Sequence, residues 1–326
     1  MTHAATDLTI SHPTTSQFQL LRLRRFAPFF WTQFLGAGND NIFKFAFTIL
    51  ATYHSVKWGN LDPKIAGLLI GGIFILPFVL FSATAGQLAD KYDKAMLTRL
   101  VKNLEIAFMV VIGAGFAMHI PSLLFIGVFL MGCHSTLFGP VKFACLPQNL
   151  HDSELTGGNG MIEMGTFTAI LLGSMAGGFL VKLGDAGVIL VALVSMCVAI
   201  LGRVIAGYIP ASPPLVPDLK INWNPLTETW HSLKIGCKNP AVFNSLIGNS
   251  WFWFMGSIFL TSLTGFAKEV LGGDELLLLM GLFTMGIGIG CVLGEKISGH
   301  KIEIGLVLMA WMAMRLGREV AEEEKI

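Results

Sequence analysis

The segment Gly86-Gln-Leu-Ala-Asp-Lys-Tyr-Asp-Lys94 carries four charged residues and is flanked on both sides by long apolar runs. Apolar windows of about 20 residues, the length that an untilted helix needs to cross the hydrocarbon of a bilayer, recur along the whole chain. We place them at residues 28–53, 65–89, 97–118, 121–145, 157–182, 186–209, 241–265 and 275–296. The sequence therefore predicts eight membrane-spanning helices.

The composition agrees with a membrane protein. Hydrophobic residues make up 53% of the chain and charged residues 13%, and the mean hydropathy is +0.67. An average soluble domain has about 25% charged residues. The five cysteines are scattered and form no Cys-x-x-Cys pair, so neither a disulfide framework nor a metal site is expected. We expect no cofactor and no nucleic-acid partner.

The basic residues are distributed unevenly between alternate ends of the predicted spans. Thirteen are assigned to one side: Arg22, Arg24, Arg25, Lys91, Lys94, Arg99, Lys102, Lys142, Lys220, Lys234, Lys238, Lys296 and Lys301. Four are assigned to the other: Lys57, Lys64, Lys182 and Lys268. The excess predicts a cytoplasmic N-terminus. Residues 1–27 are interpreted as a disordered cytoplasmic tail with a basic anchor at 21–25, and not as a signal peptide.

The spacing of the spans predicts two unequal halves. Residues 28–209 hold six spans, 210–240 form a Pro-rich cytoplasmic linker, and 241–314 hold the remaining apolar runs before a polar tail at 315–326. Six helices, a linker and further helices are typical of transporters built from two repeats. The last apolar run, 304–314, has 11 residues, and about 16 Å of helix cannot cross a bilayer. We therefore expect an all-α membrane protein with a complete first six-helix bundle and an incomplete second one, as in a C-terminally truncated product.

Within the linker, Leu226, Trp230 and Leu233 fall on one helical face. The spacing is compatible with an amphipathic helix on the cytoplasmic membrane surface and equally with a solvated linker.

The first span contains the polar stretch Asn39-Asp-Asn-Ile-Phe-Lys44. Asp40 and Lys44 lie one helical turn apart and can pair. An isolated charge at the centre of a span costs roughly 2.5 to 3.5 kcal/mol, and ionisable groups at this depth usually face a bundle interior or a wet cavity. The stretch thus indicates either a substrate-handling site or a buried ion pair that fixes helix packing.

Two further spans carry ionisable residues, and one of them also carries a row of small residues. Lys142 and Glu163 are ionisable groups near membrane depth, although Lys142 could also extend to the cytoplasmic surface. Gly173 and Gly177 form a small-residue face on which another helix can pack closely.

The segment 86–94 resembles the signature loop between the second and third helices of the major facilitator superfamily, with Gly-x-Leu-Ala-Asp followed by basic residues. Asp93 stands where that family commonly has a second glycine. The resemblance implies the fold of the superfamily and a cytoplasmic gating loop that includes Gly86, Asp90, Lys91 and Lys94.

Four motifs together resemble the lysophospholipid transporter subfamily: Gly-Asn-Asp-Asn-x-Phe-Lys at 38–44, Gly-x-Leu-Ala-Asp at 86–90, Gly-Pro-x-Lys at 139–142 and Asn-Gly-Met-x-Glu at 159–163. The likeness covers roughly residues 28–300. It implies movement of lysophosphatidylethanolamine and related lipids such as lysophosphatidylglycerol from the outer to the inner leaflet of the bacterial cytoplasmic membrane.

The same resemblance implies that Asp40 and Lys142 handle the zwitterionic headgroup. Relatives are often fused to acyltransferase and acyl-carrier-protein ligase domains, so an enzyme of that kind is an expected partner. The seventh span lacks the arginine found in some relatives. Our candidate substrate-binding residues are Asn39, Asp40, Asn41, Lys44, Lys142, Glu163 and Asn249.

Other functions remain open at this point. An acyltransferase is disfavoured because no histidine is followed by aspartate five residues later, and neither a nucleophile elbow nor a His-Glu-x-x-His motif occurs. We therefore expect no enzyme activity. The remaining alternatives are a facilitator-family transporter of another small solute and a non-functional truncated fragment.

Overall fold

The computed structural model describes residues 17–270 and 276–297, which form one short 3-10 helix and nine α-helices. The 3-10 helix is Gln17–Arg22. The α-helices are α1 Ala27–Tyr53, α2 Pro63–Lys91, α3 Lys94–Ala117, α4 Pro121–Asn149, α5 Asp152–Val181, α6 Asp185–Ala206, α7 Pro225–Lys238, α8 Pro240–Val270 and α9 Leu276–Ile297. The described residues contain no strand. Our interpretations of residues 1–16, 304–314 and 315–326 fall outside the described residues.

The eight predicted spans correspond to α1–α6, α8 and α9, and the all-α membrane fold is confirmed. Among the described residues, five helices, α2 to α6, are long and apolar enough to cross a membrane. The first predicted span, α1, has 27 residues and carries its polar stretch at its centre. The division into a complete and an incomplete bundle stays a prediction.

The helix ends follow from local sequence. Pro121 lies in the first turn of α4, where its missing N–H is not needed. Asp93 caps α3, because its side chain accepts a hydrogen bond from the Met96 N–H. Gly184 adopts a φ of +71° between α5 and α6, in the region that favours glycine.

The first six helices pack around two apolar clusters. One surrounds Phe43, Phe47 and Phe116, and the other surrounds Phe26 and Phe29. Helix α1 packs mainly against α5 and α6, α2 packs against α4, and α3 packs against α4 and α6. Helix α1 is therefore surrounded by its neighbours.

The contact between α1 and α5 depends on small residues. A Cβ atom at Gly173 would lie 2.3 Å from the carbonyl oxygen of Gly38, and one at Gly177 would lie 2.4 Å from that of Ile42. The small-residue face predicted from the sequence is confirmed as a helix contact.

Residues 210–222, which we call the strap, are fastened to the end of the bundle where α2 ends and α3 begins. The Ser212 N–H donates to Asp93 Oδ2 at 2.7 Å, and the N–H groups of Leu215 and Val216 both donate to the Asp90 carbonyl oxygen at 3.0 Å. Asn222 bonds through its backbone to the side chain of Gln87. The strap itself is irregular and mostly exposed, and helix α7 follows it.

Candidate functional site

Six polar side chains meet inside the bundle and form what we call the central cluster. Asn39 and Asp40 come from α1, Lys102 and Glu105 from α3, and His134 and Ser135 from α4. Asp40 is the middle residue of α1, which spans Ala27–Tyr53. The cluster therefore lies about halfway along the helix that its neighbours enclose.

Glu105 is the centre of the cluster. Its Oε1 accepts a hydrogen bond from Asn39 Nδ2 at 2.7 Å, and its Oε2 lies 2.6 Å from Lys102 Nζ and 3.3 Å from His134 Nε2. The side chains of Lys102 and Glu105 are each only 1% exposed. A buried carboxylate is costly unless it is paired and hydrogen-bonded, and Glu105 has both kinds of partner.

Two glycines make room for the lysine. A Cβ atom on Gly36 of α1 would lie 2.6 Å from Lys102 Nζ, and one on Gly202 of α6 would lie 3.5 Å from it. Lys102 thus passes between α1 and α6, and a larger residue at position 36 would displace it.

Asp40 is only partly satisfied. Its Oδ2 accepts a hydrogen bond from Ser135 Oγ at 2.5 Å, whereas its buried Oδ1 accepts none from the described residues. Buried polar atoms are nearly always hydrogen-bonded, so a free carboxylate oxygen in an apolar bundle is unusual. Lys102 balances one of the two carboxylates of the cluster. A cationic group would balance the other.

Asp40 and Lys44, which the sequence suggested could pair, form no direct ion pair in the structure. Asp40 bonds to Ser135, and Lys44 Nζ instead lies 4.3 Å from the centre of the Phe74 ring on α2. A cation over an aromatic face gains electrostatic energy, and α2 presents that face to α1. Asn41, the third candidate of this stretch, donates from Nδ2 to the Ala37 carbonyl oxygen of its own helix.

A second group, the Lys142 cluster, joins α1, α4 and α5. Lys142 Nζ donates to Glu163 Oε1 at 2.8 Å and lies 3.3 Å from Thr166 Oγ1, which also accepts a hydrogen bond from Gln33 Nε2. The Lys142 side chain is 12% exposed. Lys142 is thus paired with Glu163, whose side chain is 26% exposed, and both interpretations of Lys142 stay predictions. The structure brings Lys142 and Glu163 together but places Asp40 in the other cluster.

Asn249 lies apart from both clusters. It is exposed on α8 and lines an open groove with Ala241, Val242, Ser245 and Leu246. Among the described residues, α8 touches the first six helices through the ring of Trp253, which stacks on Phe167 of α5.

The candidate gating residues lie at the junction of α2 and α3. Gly86 and Asp90 belong to the last turns of α2. Two residues, Tyr92 and Asp93, connect α2 to α3. Lys94 is fully buried, with Nζ 3.3 Å from the carbonyl oxygen of Pro213 in the strap. Lys91 Nζ lies 5.9 Å from the centre of the Tyr92 ring. Asp93, which departs from the family pattern, caps α3 and holds Ser212.

Sequence reasoning missed Lys102, Glu105 and His134 as site residues. Lys102 was assigned to the cytoplasmic end of a span, but it lies buried two turns inside α3. The signal was present, because Lys102 and Glu105 are three residues apart in a helix that is otherwise mostly apolar. The excess of basic residues on one side remains when Lys102 is removed from the count. No group of three potential metal ligands is found in the part of the chain that the structure describes.

Comparison with known sequences identifies the family. The Major Facilitator Superfamily matches residues 29–316. The chain belongs to this superfamily. It is therefore a multi-pass membrane protein of a transporter family, as the signature loop indicated.

Several relatives carry a more specific name. The chain is 32% identical over 230 residues to the lysophospholipid transporter LplT of Escherichia fergusonii, an alignment that covers 69% of this chain and 53% of the relative. The proteins of the same name from Klebsiella pneumoniae and an Enterobacter species are 30% and 29% identical, with the same coverage. The chain spans about half the length of the curated relatives that it matches. These similarities confirm the resemblance to the lysophospholipid transporter subfamily.

Proposed function

We propose that this member of the superfamily moves lysophosphatidylethanolamine and related lysophospholipids across the bacterial inner membrane, from the outer to the inner leaflet, for reacylation. In this proposal the N-terminus and the α2–α3 junction face the cytoplasm. The relatives named as lysophospholipid transporters support the substrate class. The observation that carries the proposal is the buried Asp40 Oδ1, which lacks a donor among the described residues.

The headgroup of lysophosphatidylethanolamine carries an ammonium and a phosphate. An ammonium at Asp40 Oδ1 would supply the missing donor, and hydrogen bonds between charged groups are the strongest that proteins form. Asn39 Oδ1 is also buried without a donor from the described residues, and it lies beside Asp40 in sequence. The two acceptors together suit a group with several N–H donors.

Lys142 is our candidate for the phosphate. At present its ammonium is neutralised by Glu163 at 2.8 Å. A phosphate would therefore have to replace Glu163 as the partner of Lys142, with Gln33 and Thr166 as further polar groups nearby. This exchange is a way for the substrate to change the contacts between α4 and α5.

Two further assignments belong to the same proposal. Gly86, Asp90, Lys91 and Lys94 would form the cytoplasmic gate, since they lie where the strap meets the bundle. An acyltransferase or acyl-carrier-protein ligase would take up the delivered lipid, because a flipped lysophospholipid needs a second acyl chain. Asn41, Lys44 and Asn249 remain candidates for contacts with the substrate.

Uptake in spheroplasts tests the role of Asp40. The chain is expressed in bacteria that lack their own lysophospholipid transporter, and uptake of radiolabelled lysophosphatidylethanolamine is compared with that of the Asp40→Asn variant. Loss of one charged hydrogen bond, worth about 1.5 to 3 kcal/mol, predicts uptake roughly 10- to 150-fold lower at limiting substrate. Lys57→Gln, in an exposed pair with Asp185, is the control and should keep full uptake.

Two results would contradict the proposal. Unchanged uptake in Asp40→Asn, at equal protein level in the membrane, would reduce Asp40 to a packing residue. Strong competition by glycerophosphoethanolamine, which has the headgroup but no acyl chain, would favour a transporter of a soluble solute.

A further inference from the structure

Helix α7 has an apolar face that no described residue covers. Leu226, Trp230 and Leu233 follow each other at helical spacing and are 73%, 61% and 48% exposed. Cys237 continues the same face and is also exposed. Gly236 is the only buried residue of α7. Isolated exposed apolar residues need no explanation, but a continuous face that includes tryptophan indicates a binding surface.

Both ends of α7 are held at the same end of the bundle. Before the helix, Asn222 bonds to Gln87 in the last turns of α2, a helix of membrane-spanning length. After the helix, only Asn239 separates α7 from the start of α8 at Pro240. A helix of about 21 Å that joins two such points is placed to lie along the membrane surface.

The charges of α7 are arranged around this apolar face. Lys234 and Lys238 lie next to it, and Lys234 Nζ is 5.5 Å from the centre of the Trp230 ring. The acidic residue Glu228 points elsewhere and accepts a hydrogen bond from Asn222 Nδ2 at 3.2 Å. An apolar face with tryptophan beside a basic face is the arrangement of helices that lie in the headgroup region of a bilayer.

We propose that α7 is a lipid-binding helix whose apolar face enters the headgroup region of the adjoining leaflet and whose lysines select anionic phospholipids there. The attachment of α7 to the end of α2, a helix of membrane-spanning length, places it near one leaflet, and the lysines account for the charge preference. A second copy of the chain fits this face less well, because a two-fold contact would bring the same lysines towards each other. The inference does not depend on which substrate is transported.

Quenching by labelled lipids tests the proposal on the full chain. Cys237 is kept as the only cysteine, labelled with an environment-sensitive fluorophore, and the chain is reconstituted into nanodiscs of phosphatidylcholine and phosphatidylglycerol. The acyl-chain spin label is placed on one lipid or on the other at equal mole fraction. The matched control carries Cys237→Ser and Ser232→Cys, which moves the fluorophore about 140° around the helix.

Each lysine near an anionic leaflet contributes about a five-fold preference. We therefore expect spin-labelled phosphatidylglycerol to quench the Cys237 fluorophore at least about two-fold more than spin-labelled phosphatidylcholine. The excess should disappear in Lys234→Gln/Lys238→Gln and at high salt, which screens the attraction. The fluorophore at position 232 should be quenched weakly by either lipid.

Several outcomes would overturn the proposal. Equal quenching by the two lipids would remove the anionic preference, and quenching by aqueous iodide alone would place the apolar face in water. Cross-linking between Cys237 residues of two chains, without lipid quenching, would make the occupant a second copy. Lys234→Gln/Lys238→Gln changes only exposed side chains, so a lost excess in this variant would reflect the lost charges and not misfolding.

Discussion

At the scale of single residues, the Lys102–Glu105 pair is the feature on which the bundle interior depends most. Both side chains are 1% exposed. Glu105 also accepts a hydrogen bond from Asn39 and lies 3.3 Å from His134 Nε2. Removing one partner of a buried pair leaves an uncompensated charge, which typically costs about 3 to 5 kcal/mol. Through its contacts with Asn39 and His134, Glu105 links α3 to α1 and α4.

We predict that Lys102→Met lowers the stability of the purified protein by about this amount, measured as a fall in the thermal unfolding midpoint in detergent. The double variant Lys102→Met/Glu105→Gln should recover part of the loss, because the remaining group is uncharged. Lys57→Met, in the exposed pair with Asp185, should change little. A double variant that is no better than Lys102→Met would show that charge is not the cause.

The sequence revealed part of this site and not the rest. Asp40 stood out because three polar residues surround it in an apolar run. His134 stood alone, and Lys102, three residues before Glu105, was close enough to a span end to be counted as a loop charge. Which carboxylate meets which lysine depends on helix rotation, and the sequence of a single helix does not determine that rotation. For this reason Lys44 was assigned to Asp40, whereas it lies over Phe74.

At the scale of helices, the positions of the spans were predictable because a bilayer imposes a minimum apolar length. Which helices pack against each other was harder to predict from the sequence. Gly173 and Gly177 indicated that some helix would pack against α5, but only the structure identifies α1 as the partner. Because the hydrophobic effect does not drive helices together within lipid, close contact between them supplies much of the packing energy.

We predict that Gly177→Ala forces α1 and α5 apart, because its Cβ would lie 2.4 Å from the Ile42 carbonyl oxygen. Backbone cannot move aside as a side chain does, so we expect a loss of about 1 to 3 kcal/mol in stability. Gly72→Ala in α2 is the matched control, because no atom lies within 4 Å of its Cβ position. Alanine favours a helix, so this control should be neutral or slightly stabilising. Equal midpoints for the two variants in thermal unfolding would refute the tight contact.

At the scale of the whole molecule, the strap attaches the segment between α6 and α7 to the first six helices by hydrogen bonds. Its hydrogen bonds involve backbone groups of an irregular segment, which leave no periodic signal in the sequence. The Pro-rich composition predicted a cytoplasmic linker, which stays a prediction, and it gave no sign of these hydrogen bonds. Since the strap is held from Ser212 to Asn222, movement of α8 relative to the bundle has to be absorbed in α7 and its two ends.

Gln87 is the last attachment of the strap before α7, and its loss should release that part of the segment. Its side chain donates to the Asn222 carbonyl oxygen at 3.3 Å and accepts from the Asn222 N–H at 2.8 Å. Two hydrogen bonds of about 1 kcal/mol each predict that Gln87→Ala raises the open population of the strap roughly 5- to 30-fold.

Trypsin cleavage after Lys220, followed by mass spectrometry of the fragments, measures this opening, because a protease cuts a segment that has locally unfolded. Ser82→Ala in the same helix is the control, since the Ser82 hydroxyl bonds only within α2, to the Phe78 carbonyl oxygen. Cleavage in Gln87→Ala should be faster than in the unmodified chain and in the control by this factor. If all three chains are cut at one rate, the strap is held by its contacts between Ser212 and Val216, and α7 begins from a fixed point nearer Val216.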